Sequence, residues 1–439
     1  MLRSLLKNVG RRGTPAAAPA APQAGGASAL PPLTQQRGGT ILAFTGQSEG
    51  DALGQILLEI LRPLRAQCHD AVLLNLNDRQ FAAKLAEAAR HPVWFAISFF
   101  GVGEHFAPDG HNPWLPAGIP FVRLFGDLPA YHPRAHVQHW PNAINAYGHA
   151  EHHEFFVRWY ARKAPSVTLP GYPFDSLPRE KVDVQRKMAS GRLLFPKNGN
   201  CPDRLITYWR EQLPPALAQV LQAVSESASA TIDEPIDLHQ CMQGELRRAG
   251  VELPGDQQPM FFLAAQVDDY LRRKKSTLIA RSLLDLPVVI RGINWDHVDF
   301  SGRRARHDPD SDFARTRQIL DESLGVIDMA PNTQRGPHDR IFRAAGRHTA
   351  FLTNRQRFFV DNFENHASFL FAFDADSIRH RMDTALQHPR DTVEMGLAQA
   401  ERLRQLMSEE EYYRRLILAV DACALGCARP PGTQPFVVF

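Results

Sequence analysis

The sequence predicts an α/β protein built from two doubly wound parallel sheets. Three observations predict it. Between Thr40 and Phe100, short apolar runs alternate with helix-period segments in a repeating strand, helix, strand order. A second series of the same kind begins at Arg192. Gly325 to Asn354, GVIDMAPNTQRGPHDRIFRAAGRHTAFLTN, then packs strand, turn, helix and strand into one stretch with its polar groups at the turn. At 439 residues the chain is long enough for two ordinary domains of about 100–200 residues each.

Residues 1–38 are a low-complexity segment. Thr14 to Gly39 is rich in Ala, Pro, Gly and Gln and has too little apolar surface to order itself. Met1 to Arg12 places Leu2, Leu5, Leu6 and Val9 on one helical face with Arg3, Lys7, Arg11 and Arg12 around it, a pattern suited to peripheral contact with an anionic membrane. No apolar run reaches the roughly 18 residues of a membrane span, and the N-terminus lacks a secretory apolar core. The expectation is a cytoplasmic protein; residues 1–12 read first as a frayed terminus, with peripheral contact on the inner face of the membrane as the alternative. The net charge of +3 is made of interspersed charges, which argues against a dedicated nucleic-acid binder. Five scattered cysteines form neither a C-x-x-C pair nor a disulfide framework, in keeping with a reducing compartment.

The first domain is expected over residues 39–185. Ile41 to Phe44 reads as a strand, followed by the small-residue turn Thr45 to Gly50, where Gly46, Gln47 and Ser48 either allow close approach to a ligand or form a plain turn. Leu53, Ile56, Leu57, Ile60, Leu61 and Leu64 have the spacing of one buried helical face. Ala71 to Leu76 is a second strand, Arg79 to Arg90 a helix, and Val93 to Phe100 a strand apolar throughout, as strands covered on both faces are. Pro120 to Asp127 reads as a fourth strand, preceded by the polar loop Gly101 to His105. The histidines His132, His136, His139, His149, His152 and His153 follow without a recognisable metal motif. Ser166 to Leu169 closes the series, and Gly171 to Arg186 suits a linker.

The second domain is expected over residues 186–405, and 406–439 as a helix and tail returning to the first domain. Arg192 to Phe195 is a strand turning at Pro196 to Asn200. The helix from Asp203 should kink or split at Pro214 and Pro215. Gln258 to Leu286 is helical, Val288 to Arg291 a strand, and Phe313 to Leu324 a helix. Val326 to Met329, His338 to Ala345 and Thr349 to Thr353 form a parallel strand, helix, strand unit. Phe369 to Phe373 is the last strand, and a helix marked by Ile378, Met382 and Leu386 ends near Pro389. Ser408 and Glu411 form a capping box for a final helix.

In parallel sheets ligands bind beyond the carboxyl ends of the strands, where helix starts favour anions. Candidate anion ligands are Lys197 and Asn200, Arg291 and Asn294, and Gly336, His338, Asp339 and Arg340. Candidate bases on the first domain are Asp127, which directly follows a strand, then His132, His105 and Glu104. Asp308, Asp310 and Asp312 read as a solvated loop and helix cap.

Pro331, Gly336, His338, Asp339, Arg340, Ile341, Phe342, Ala344, Phe351, Leu352 and Thr353 resemble the donor-binding region of GT-B glycosyltransferases, closest to the spore-maturation (CgeB-like) group. The resemblance covers roughly the last 120 residues. It implies two Rossmann-like domains facing across a cleft, and an enzyme that moves a sugar from a nucleotide-sugar donor to a glycan, lipid-linked or protein acceptor. It further implies that Arg340 stands where the family has its arginine. No early strand is followed by an Asp-x-Asp motif, so the expected enzyme is metal-independent and uses no cofactor beyond its nucleotide-sugar co-substrate. Two departures stand out: Arg343 replaces the glutamate that takes the nucleotide ribose, and His348 replaces a small residue. The first keeps a second reading open, that of a catalytically inactive interaction or regulatory protein.

Overall fold

The computed structural model describes residues 33–427 apart from 47–51, 106–111, 138–139, 161–163, 172, 174–175, 235, 254–257 and 311. Two compact units emerge, one of residues 1–173 with 409–439 and one of residues 174–408.

Unit 1 is a parallel sheet of six strands: β1 Gln35–Thr45, β2 Ala71–Asn75, β3 Val93–Phe99, β4 Phe121–Phe125, β5 Ala143–Tyr147 and β6 Ser166–Thr168. They lie in the order β2-β1-β3-β4-β5-β6. Helices α1 Ala52–Leu61, α2 Phe81–Ala88, α3 Pro133–Val137 and α4 Ala150–Trp159 connect them. The runs Ile41 to Phe44 and Val93 to Phe99 are wholly buried, which is why both read as near-continuous apolar sequence. Burial of Ile56, Leu57, Ile60 and Leu61 confirms the expected face of α1, and Pro63 converts its end to a 3-10 turn. Strand β5 is not foreseen by the sequence reading, because Asn145 interrupts its apolar pattern and histidine-rich segments flank it. Asn145 is nonetheless fully buried.

Unit 2 repeats the plan with β7 Leu193–Pro196, β8 Val288–Arg291, β9 Arg306–Asp308, β10 Gly325–Ile327, β11 Ala350–Asn354 and β12 Leu370–Phe371, in the order β12-β11-β10-β7-β8-β9. All neighbours are parallel. Its helices are α5 Val184–Ser190, α6 Pro202–Gln212, α7 Pro215–Ala230, α8 Leu238–Arg248, α9 Gln258–Ser282, α10 Phe313–Glu322, α11 Asp339–Gly346, α12 Arg357–Asn362, α13 Ala375–Gln387 and α14 Pro389–Leu406. The proline pair Pro214-Pro215 splits α6 from α7, as its missing N–H groups require.

The chain then returns to unit 1 as α15, Glu409–Cys427. There the Tyr413 hydroxyl donates to the Ile60 carbonyl at 2.8 Å, and the Arg415 guanidinium reaches the Thr168 carbonyl at 3.4 Å. Among the described residues no helix is long and apolar enough to cross a membrane. Residues 1–12, where the sequence suggests a membrane-surface helix, lie outside the described residues.

Each sheet contains one place where the strand order reverses. In unit 1 the chain runs from β1 to β2 on one side, then to β3 on the other. In unit 2 it runs from β7 through β8 to β9, then returns to lay β10 against β7. Loops leaving the carboxyl ends of β1 and β3, and of β7 and β10, therefore diverge and open a crevice.

Candidate functional site

The unit 2 crevice is framed by the loops after β7, β8 and β10. Those after β7 and β8 are locked together. Gly199 N donates to Ile293 O at 2.9 Å, Ile293 N to Asn198 Oδ1 at 3.1 Å, and the Trp295 indole to Lys197 O at 2.8 Å. A Cβ on Gly199 would lie 2.2 Å from the Trp295 ring, so only glycine allows this contact. Two of the candidate anion ligands, Asn200 and Asn294, meet: the Asn294 amide donates to Asn200 Oδ1 at 3.2 Å, from a left-handed backbone with φ of 66°. Lys197 is half-buried at the same edge.

Arg291 is differently employed. Its side chain is 2% exposed, and its guanidinium is distributed over Thr316 Oγ1 at 2.9 Å, the Asp308 carboxylate, Asp310 Oδ2 at 2.6 Å and the Asp312 carbonyl at 3.3 Å. An anion would have to displace one of these, so Arg291 holds the β8–β9 edge rather than offering a ready phosphate contact. The same contacts extend the reading of the acidic cluster. Asp312 caps α10 by accepting from Arg315 N, as expected, and Asp308 and Asp310, the latter 50% exposed, additionally pair with Arg291.

The loop after β10 carries the densest charge. Asp328 is wholly buried, and Arg340 Nη1 reaches its Oδ1 at 2.6 Å. His338 Nδ1 lies 3.2 Å from the same oxygen and 2.9 Å from Asp339 Oδ1, while Arg343 Nη2 holds Asp339 Oδ2 at 2.6 Å. Arg343 also lies over the Phe313 ring at 4.3 Å. Burial pushes the Asp328 carboxyl up, but His338 and Arg340 beside it prevail, and its pKa falls below the ordinary value. Asp339 is held well below its ordinary value: Arg343 and His338 overcome its burial. Burial lowers His338 and the two carboxylates raise it, with a net upward shift. Two carboxylates balance two guanidinium groups, so the cluster's charge turns on His338: neutral when the imidazole is neutral, +1 when it is protonated. Gly336 is buried just ahead of this helix start.

Behind the same loop, α9 contributes two buried charges the sequence reading did not single out. Lys275 Nζ donates to Asn332 Oδ1 at 2.7 Å and lies 4.7 Å from the Phe373 ring centroid. Asn332 Nδ2 donates to Asp268 Oδ1 at 2.6 Å. Burial pushes the Lys275 amine down to about 8, against the pull of Asp268 and Asp233. The signal was present: Ala264, Asp268, Leu271, Lys275 and Ile279 fall on one helical face and are all buried, which sets two charges inside an apolar stripe.

In unit 1 the loop after β3 is strained. Phe100 adopts φ of 58°, costly for a bulky residue, and Gly101 and Gly103 follow at 79° and 84°. The Phe100 ring stacks on His132 at 4.2 Å. Burial lowers the His132 pKa while Asp127 opposes it, so His132 is a neutral imidazole near pH 7. The predicted bases Asp127 and His132 are thus brought together after β4. Glu104 cannot serve as a base, because its buried carboxylate is ion-paired with Arg123 of β4, whose Nε lies 3.1 Å away. His105 lies beside Glu104, with Nε2 3.6 Å from Oε2, and neither of its ring nitrogens makes a hydrogen bond among the described residues. His136 and His153 brace the core, on the Tyr147 hydroxyl and on Ser166 and Thr168 respectively. No group of three metal-binding side chains occurs among the described residues. Gly46 directly follows β1, and Gln47, Ser48 and His139 lie outside the described residues.

Two of the three loops that frame the unit 2 crevice, those after β8 and β10, fall within a stretch that matches a protein family. Residues 272–417 match the family described as glycosyl transferase-like. The match covers one third of the chain and takes in Lys275, Arg291, Asp328 and the whole of α11. No curated protein matches the sequence. Among solved structures, the chain is similar to Anabaena HepE in complex with UDP-glucose, at 11% identity and a TM-score of 0.45 over 87% of this chain and 99% of that one. It is similar also to sucrose-phosphate synthase from Thermosynechococcus elongatus, at 10% identity and 0.46 over 87% and 99%. WaaG, a glycosyltransferase involved in lipopolysaccharide biosynthesis, gives 11% and 0.43 over 87% and 98%. At those scores the likeness carries no functional weight.

Proposed function

We propose that the protein is a GT-B glycosyltransferase, related to the CgeB-like group, that transfers a sugar from a nucleotide donor to a glycan, lipid-linked or protein acceptor without a metal ion. One observation carries the reading: the glycosyl transferase-like match spans the switch-point loop after β10 and the α11 start, where Asp328, His338, Asp339, Arg340 and Arg343 form a cluster whose charge is zero or positive. The departing diphosphate of such a reaction needs stabilisation at a place of this kind. His338 is the member that adds net positive charge, and Lys197, Asn200 and Asn294 are polar partners on the neighbouring loops. Asp127 with the neutral His132 supplies the base that an inverting reaction requires.

Arg343 favours a second reading, a GT-B-like protein that no longer turns over a sugar. Its guanidinium only donates, and it is already engaged by Asp339 and Phe313, so it offers no acceptor to a ribose hydroxyl. A thermal-shift series with UDP, GDP, CDP and their sugars separates the two, because a ligand that binds only the native state raises the melting temperature. The transferase reading expects a shift with at least one nucleotide sugar and release of its nucleoside diphosphate. No shift with any of them, at concentrations well above ordinary donor affinities, overturns it in favour of the second.

A further inference from the structure

The geometry points to Lys275 and Asp268 as positioning residues that fix Asn332, and through it the strap of residues 328–338 that ends at the α11 start. This inference rests on the donor-site reading above and gives that site its support.

The strap is pinned at four places. Asp328 N donates to Leu352 O at 2.9 Å, and Ala330 N to Asn354 Oδ1 at 2.8 Å, tying its beginning to β11. Gln334 is held against α12: its carbonyl accepts from Phe358 N at 2.8 Å and its side-chain oxygen from Arg357 N at 3.0 Å. The Asp328–Arg340 ion pair ties the strap's first residue to the first turn of α11. Between them Asn332 stands in the left-handed region at φ of 53°, where the chain reverses after Pro331. Asparagine tolerates that conformation better than most other non-glycine residues, and its surroundings here hold it there.

Here the surroundings are two buried ions from one helix. Lys275 donates to the amide oxygen of Asn332, and the amide nitrogen donates to Asp268. Asparagine is the side chain that satisfies both at once: aspartate would oppose Asp268, and an apolar residue would remove the hydrogen bond that each buried ion makes to the strap. The remaining neighbours of Lys275 serve the same loops. Phe373 covers the ammonium, and Asp233, whose carboxylate accepts from Phe373 N at 3.1 Å, faces it electrostatically along with Arg272. Arg272 is itself paired with Asp268 at 2.7 Å. Among the described residues Lys275 therefore holds the strap through Asn332, and its effect on a bound donor passes through the strap's conformation.

The test compares Lys275→Gln, Lys275→Met and Asn332→Gly in the full chain, with UDP-sugar affinity and amide hydrogen exchange of the strap as readouts. Glutamine retains a donor for Asn332, methionine does not, and glycine keeps the left-handed backbone while deleting the clamp. The expected result is near-wild-type affinity for Lys275→Gln, a loss of about fivefold or more for Lys275→Met and Asn332→Gly, and faster exchange in residues 328–334 in those two. Equal losses in Lys275→Gln and Lys275→Met mean that the ammonium acts as a charge on the ligand and overturn the positioning role. So does unchanged strap exchange in all three variants. Absence of any nucleotide binding by the wild-type chain overturns the donor-site reading instead. The exchange measurement, made without ligand, still decides whether Lys275 and Asp268 order the strap.

Discussion

Replacing Arg340 by alanine is the natural way to probe a phosphate contact, yet the structure says it would first disturb the fold. Asp328 is wholly buried, takes its 2.6 Å ion pair from Arg340, and has a second oxygen with no hydrogen-bond partner among the described residues. Removing Arg340 leaves that carboxylate with His338 alone. Breaking a buried pair from one side costs about 3–5 kcal/mol, and Arg340 is only 17% exposed, so solvent does little to soften the loss. Asp328→Asn should cost a similar amount by stranding Arg340. Asp328→Asn with Arg340→Met removes both charges and should lose about 2 kcal/mol less than the sum of the single changes. The assay is urea unfolding of the four proteins, followed by a signal from unit 2. The acid limb adds a check of sign. A carboxyl with a depressed native pKa contributes stability that is fully present above its unfolded value of about 3.9 and is lost as pH falls through the native value. The gap between wild type and Arg340→Ala should therefore be widest near neutrality and shrink below pH 4. A loss under about 1 kcal/mol, a coupling near zero, or a gap independent of pH would each refute the ion-pair reasoning.

Two further outcomes are expected. Affinity for a nucleotide sugar, whose diphosphate does not titrate near neutrality, should weaken by about tenfold as pH rises through the raised native pKa of His338, because the cluster passes from +1 to neutral. His338→Gln should flatten that profile when measured by calorimetry, and an unchanged profile removes His338 from the anion site. Asp127→Asn keeps a turn-capping oxygen and should leave the melting temperature and donor affinity nearly unchanged while turnover falls by about 10²-fold. Full activity in that variant passes the role to His132 or His105.

The sequence made the sheets legible where burial was two-sided. The strands are marked by the apolar runs Ile41 to Phe44, Val93 to Phe99 and Val288 to Ile290, and each lies in a sheet interior. Edge and polar elements escaped. Strand β9, with sequence RHD, is an outermost strand held by main-chain pairing to β8, which leaves no hydrophobic signature. Helices α8 and α14 were not foreseen because their charged faces obscured the buried positions Leu238, Met242 and Leu246, and Val393, Ala400 and Leu403. At the site, His338 to Arg340 was readable from a polar group following Gly336 at a helix start. Its partner Asp328 was not, since an acidic residue closing the apolar run VID reads as a strand end. Arg291 misled for the complementary reason: a lone arginine closing a strand does not reveal the carboxylates of residues 308 and 310 that saturate it.

The return of α15 to unit 1 gives the two halves different histories on the ribosome. Unit 2 is an unbroken stretch of chain and has every one of its strands by the time residue 408 is made. Unit 1 has all six strands by Thr168 but lacks the helix that carries Tyr413 and Arg415 to it until the whole of unit 2 has been synthesised. At ordinary elongation rates that interval is on the order of ten to fifty seconds. During it the nascent first half holds a finished sheet whose α15-binding surface is uncovered, so the half translated first is the half completed last.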